Sequence, residues 1–131
     1  MVQTSFATLG PHTSVLAARF YERLFGVAPS VQSMFMEDPV VQESLFVSEL
    51  ETIVTAISQF DVFVARARDL GARHAKYGVT WVHYETAGRV LLEALGDTLG
   101  PAYTDELRDA WRLAFDLVAE TMMQGAADLA P

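Results

Sequence analysis

The chain has 131 residues, 51% of them hydrophobic and none cysteine, with nine Lys and Arg against seventeen Asp and Glu and a formal net charge of -8. That length supports one domain spanning 1–131 with room for a cofactor-sized cavity, and the lack of cysteine removes disulfides, thiolate metal sites and thiol catalysis. The acidic surface field repels phosphate backbones and anionic headgroups, so neither nucleic acid nor a membrane is an expected partner.

No basic residue precedes Arg19, and the longest apolar tract, FDVFVARA, is far short of a bilayer span. Neither a signal peptide nor a spanning helix is predicted, and the expected compartment is the cytoplasm.

Apolar residues recur at helical spacing throughout, with Pro and Gly between the runs, which predicts an all-α chain of five or six helices. After LGPHTS, with Thr13 or Ser14 as N-cap, Leu16, Phe20 and Leu24 form a stripe on a helix ending near Gly26, and Tyr21 lies beside it. APSVQSMF opens on a proline suited to a first turn and makes a short helix with Phe35 at its end. Asp38 caps the next helix, whose stripe Phe46, Leu50, Ile53 and Ile57 extends back one turn to Gln42, so a polar amide heads an apolar face.

Phe63, Ala67, Leu70 and His74 share the following face, and Gly78 is a natural stop. Thr80 caps a helix that turns Tyr84, Gly88, Leu91 and Leu95 inward. Thr104 starts the longest helix, with Leu107, Trp111, Phe115, Val118 and Met122 as its stripe, before QGAADLAP reads as a fraying tail.

Tyr21, Gln42, His74 and Tyr84 are the polar residues on or beside apolar faces. A lone histidine there is more often a hydrogen-bonded core residue than a ligand, and tyrosine is commonly half-buried with its hydroxyl at the rim. A structural zinc site is hard to build, because His12 and His83 are neither three nor four residues from His74. A haem iron needs only one protein ligand and a deep apolar slot, which these faces can supply. Serine catalysis has no G-x-S-x-G to rest on, the carboxylates are spread over polar faces, and Gly-rich phosphate loops are absent from the sequence.

The segment RHAKYGVTWVHY resembles the single-domain bacterial haemoglobins and the globin domain of flavohaemoglobins, with His74, Gly78, Val79 and Tyr84 in the places of the family's proximal histidine, Gly-Val turn and following tyrosine. FYERLF is similar to the family's distal-helix motif, with Tyr21 as distal tyrosine; Phe35 corresponds to the phenylalanine packed on the haem face, and LRDAWRLAF to the start of the last helix. The resemblance runs from about Leu16 to Met123. It implies a globin fold, crossed helices around a haem pocket with an abbreviated first helix, haem b as cofactor and His74 as iron ligand.

On that reading Tyr21 and Gln42 stabilise a bound ligand from the distal side, while Phe35, Phe46, Ile53 and Leu91 form dry walls. The short connection from Phe35 leaves either Val41 or Gln42 facing the iron. With no distal histidine in this register, the sixth position is expected to be open or held by water. Ala126 stands where flavohaemoglobins carry a glutamate that makes the proximal histidine more basic, and Asp128, two residues on, points to another side of its helix. Peroxidase-like activity is therefore not expected.

The implied function is reversible binding of dioxygen, and of nitric oxide and carbon monoxide, with nitric oxide dioxygenation if a separate reductase supplies electrons. No G-x-G-x-x-G nucleotide motif lies within the sequence. The rivals are a haem-based gas sensor or partner-binding module, and a helical scaffold without haem in which His74 is a core residue. Oligomeric state is not readable from these features.

Overall fold

Two Gly-Pro pairs mark the corners of the chain: Gly10 and Gly100 take positive φ, 48° and 59°, and Pro11 and Pro101 follow within short 3-10 turns, Gly10–His12 and Gly100–Ala102. A side chain resists positive φ and a proline ring cannot continue a helix, so both positions end one helix and re-aim the next. The computed structural model describes residues 1–35 and 38–127, and Asp128 lies outside them. Its α-helices are α1 (Val2–Leu9), α2 (Thr13–Val27), α3 (Pro39–Ala56), α4 (Phe60–Ala75), α5 (Trp81–Leu99) and α6 (Asp105–Ala127).

Caps account for several boundaries. The Asp38 carboxylate accepts the Val40 N–H at 2.9 Å, with Pro39 in the first turn where its missing N–H costs nothing. Thr80 and His83 make a reciprocal capping box at α5, in which the Thr80 N–H donates to His83 Nδ1 at 2.8 Å. Thr104 Oγ1 accepts the Leu107 N–H at the head of α6.

Two local expectations are corrected. His12, not Thr13 or Ser14, occupies the N-cap of α2, and no side chain bonds there; the preceding 3-10 turn feeds the helix directly. The short helix expected after Ala28 is present as a 3-10 helix over residues 29–34, with Phe35 at its end as an extended C-cap. The supposed tail is helical through Ala127, because Gly125 is buried against α4 and tertiary packing extends the helix past the last large apolar residue.

The helices enclose two adjoining cores. In the first, Leu16, Phe20 and Leu24 of α2 meet Val90, Leu91 and Leu95 of α5 and Trp111 of α6. In the second, Ile53 of α3 meets Phe63, Ala67 and Leu70 of α4, Tyr84 of α5, and Ala119 and Met122 of α6. Helix α3 borders both, since its neighbours Ile53 and Val54 face different cores. Its two flanks are thereby tied to α2 and α4.

The short α1 is the abbreviated first helix, and two polar bonds, one buried and one part-buried, attach it. The Trp111 indole N–H donates to Ser5 Oγ at 2.9 Å, and Gln3 Nε2 donates to the Val54 carbonyl at 3.0 Å near the end of α3. Ser5→Ala leaves a buried indole N–H without its acceptor, which costs about 1 to 3 kcal/mol. A urea unfolding midpoint lowered to match, with an unchanged slope, is the expected result.

Candidate functional site

Asp38 fixes where α3 begins, and one turn later Gln42 comes to rest against α2. Its amide donates to the Tyr21 hydroxyl at 3.3 Å, while Val41 is 45% exposed. The residue that reaches Tyr21 is therefore Gln42. Because Tyr21's oxygen accepts from Gln42, its own proton is left to donate elsewhere.

Aromatic rings enclose the phenol. Tyr21 meets Phe20, Phe35 and Phe46 edge-on, with centroids 5.2, 5.3 and 5.7 Å away, and lies 5.7 Å from a tilted Phe25. Phe46 stacks on Phe20 at 4.5 Å with an interplanar angle of 19°. Burial pushes the Tyr21 pKa above the usual 10.0; the Gln42 donor pulls it back in part, and the charge of Glu43 raises it. Tyr21 is thus a neutral donor at physiological pH.

On α4 the His74 ring bonds to its own helix, with Nδ1 2.8 Å from the Leu70 carbonyl oxygen. A carbonyl can only accept, so Nδ1 carries the proton and, in the neutral ring, Nε2 carries the lone pair. Burial lowers the His74 pKa below 6.5, helped by the charge of Arg73 and opposed by the Leu70 bond and by Glu49. Desolvation wins, and the ring is held neutral in the tautomer a metal ligand requires.

The remaining residues singled out by sequence divide between the two cores. Phe35, Phe46 and Leu91 belong with Tyr21; Ile53 and Tyr84 lie with Leu70, one turn before His74 on α4. Burial also raises the Tyr84 pKa. Sequence reasoning left Phe20 and Phe25 out of the site, although Phe25 follows Tyr21 by one helical turn, and it did not foresee Leu70 as the acceptor for His74. The i, i+4 spacing was the available signal in both cases.

An open groove of about 520 Å³ lies elsewhere on α3 and α4, lined by Glu49, Thr52, Asp61, Arg66, Asp69 and Arg73 among others. Arg73 bonds both Glu49 and Asp69 at 3.2 Å along it. These pairs are exposed and contribute little to stability. Tyr21, Gln42 and His74 are not among the residues that line this groove.

Among the described residues, no group of three or more His, Asp or Glu is placed to hold a metal ion, so a metal at His74 must bring its other ligands with it. A porphyrin does so, and a neutral imidazole with a free Nε2 suits its iron. The fold and donor set together define an all-α protein with one histidine prepared as a ligand and a tyrosine-glutamine pair walled by phenylalanines.

The globin family model matches residues 18–122, and the chain belongs to the globin family. It is 24% identical over 126 residues to the flavohemoprotein of Bacillus subtilis, an alignment covering 94% of this chain and 32% of that protein. The chain thus spans about a third of the length of that relative. It is 30% identical over 131 residues to an anaerobic nitrite reductase of Gossypium hirsutum, covering 88% of this chain and 80% of the other. Among solved structures, an engineered carbene transferase made from a nitric oxide dioxygenase candidate of Rhodothermus marinus superposes with a TM-score of 0.86 at 30% identity, covering 98% of this chain and 89% of that one.

Since Gln42 donates to Tyr21 and thereby favours the phenolate, Gln42→Leu should move Tyr21's ionisation to still higher pH. A phenolate absorbance titration, with Tyr21→Phe to locate the transition, reads this directly; an unchanged transition would mean that the bond is not made in solution. The linkage has a definite sign: the folded pKa lies above 10.0, so this group's contribution to stability is present below pH 10.0 and is lost as pH rises through the folded value.

Proposed function

We propose that this chain is a single globin domain that holds haem b through His74 and binds a diatomic gas, dioxygen foremost, beside Tyr21 and Gln42. When bound, the haem supplies an iron with affinity for dioxygen, nitric oxide and carbon monoxide. The rest of the work falls to the chain's own side chains.

The observation that carries the reading is the Gln42 to Tyr21 hydrogen bond. It orients the phenol by occupying its oxygen as an acceptor, so the hydroxyl proton is available to a ligand atom that carries negative charge. The buried phenol loses little further solvation when it donates, because the rings of Phe20, Phe35 and Phe46 already surround it. On α4, the Leu70 carbonyl keeps the His74 proton on Nδ1 and Nε2 ready as a ligand.

Haem binding is supported by family membership and by relatives named as haemoproteins. Nitric oxide dioxygenation is the enzymatic role we favour, with a cytoplasmic reductase as electron donor. It draws on the flavohemoprotein relative and on the parent of the engineered structure. Ala126 supplies no carboxylate on α6, so peroxidase chemistry is not proposed.

Stopped-flow dissociation of dioxygen from the haem-loaded protein tests the distal assignment. A hydrogen bond to a charged group contributes about 1.5 to 3 kcal/mol, so Tyr21→Phe should speed release by roughly tenfold or more. An unchanged rate in Tyr21→Phe would remove Tyr21 from the site.

A further inference from the structure

Where α4 meets α6 the two backbones approach closely, and glycine makes it possible. A Cβ added to Gly71 would fall under 3.0 Å from the Met122 backbone, and one added to Gly125 would fall under 3.0 Å from the Arg68 backbone. These obstacles are carbonyl and Cα atoms, which a change of rotamer cannot move aside.

The two contacts form one unit. Arg68 and Gly71 are three residues apart on α4, as Met122 and Gly125 are on α6, so each pair shares a helical face. The pairing of Gly71 with Met122 and Arg68 with Gly125 runs antiparallel. Ala67, Leu70, Ala119 and Met122 belong to the core that flanks the crossing. Glycine weakens a helix relative to alanine, yet both glycines sit buried inside helices where the backbones touch.

The peptide unit at this contact also holds the imidazole. The Leu70 carbonyl, which accepts the His74 Nδ1–H at 2.8 Å, is bonded to the nitrogen of Gly71. The acceptor for His74 and the seat of α4 on α6 therefore meet at a single residue junction. Any force that lifts Gly71 off Met122 moves the Leu70 carbonyl, and with it the imidazole.

We propose that the Gly71–Gly125 crossing positions His74: the backbone of α6 sets the height and tilt of the imidazole through the Leu70–Gly71 peptide. This rests on the reading of His74 as the haem ligand. Gly71 is then a positioning residue that touches neither cofactor nor gas.

The test is the iron–histidine stretching band of the ferrous, haem-loaded protein, read by resonance Raman spectroscopy alongside Tm. Gly71→Ala should shift the band and speed haem loss by about tenfold, in line with the loss of outer support for a metal ligand. Gly125→Ala, which forces the same crossing apart from the other helix, should also shift the band, and it carries the test alone if Gly71→Ala does not fold. Ser5→Ala lowers Tm at a distance from α4 and should leave the band in place. Glycine variants with lowered Tm and an unmoved band would reduce the crossing to packing and overturn the proposal.

His74→Gly with added imidazole separates this inference from the reading beneath it. A wild-type band in His74→Gly without imidazole means that His74 is not the ligand, and both fail. A band lost and then restored by imidazole upholds the haem reading. 1-Methylimidazole in the same cavity has no N–H to give the Leu70 carbonyl, so its band should be the same with or without Gly71→Ala; a shift there would count against the crossing acting through the Leu70 peptide.

Discussion

The hydrogen bond from His74 Nδ1 to the Leu70 carbonyl constrains the His74 side of the molecule. A buried imidazole loses solvation for its charged form, and this one is also beside Arg73, so it stays neutral. Neutrality alone leaves two tautomers. The carbonyl selects the one with the proton on Nδ1, and it can do so only while α4 keeps Leu70 one turn ahead of His74. The helical register of α4 is thus part of the chemistry of the ring.

The Tyr21 side answers to a different constraint, the placement of one polar pair in an apolar wall. The Asp38 cap sets the first turn of α3, that turn delivers Gln42, and Gln42 orients Tyr21. The stacked Phe20 and Phe46 rings bring α2 and α3 together around the pair. A phenol in this setting ionises only above its usual range and remains a hydrogen-bond donor. Placing it costs desolvation during folding, and on the proposed function little reorganisation remains when a ligand arrives.

Much of this was legible in the sequence because it depends on local chemistry. The caps at Asp38 and Thr80 follow from side-chain oxygens that precede apolar runs, and both are present. The stripes of α3, α4 and α6 follow from helical spacing, and the residues they predicted inside are largely the core. Tyr21, Gln42 and His74 stood out because each is polar on or beside an apolar face. What escaped depends on partners distant in sequence. Whether Val41 or Gln42 faces inward is decided by how α3 lies on α2, and the docking of α1 turns on a Ser5–Trp111 bond across 106 positions. Gly125 looked like part of a fraying tail, since sequence registers a glycine's cost to its own helix but not the backbone it admits.

The most direct measurement is the absorption spectrum of the purified protein with added haem, ferric and ferrous, for wild type and His74→Ala. The expected result is stoichiometric binding with a sharp haem band and a five-coordinate ferrous form in wild type, lost or altered in His74→Ala. A wild-type protein that takes up no haem, or a His74→Ala protein with an unchanged spectrum, would contradict the assignment of His74 as the iron ligand.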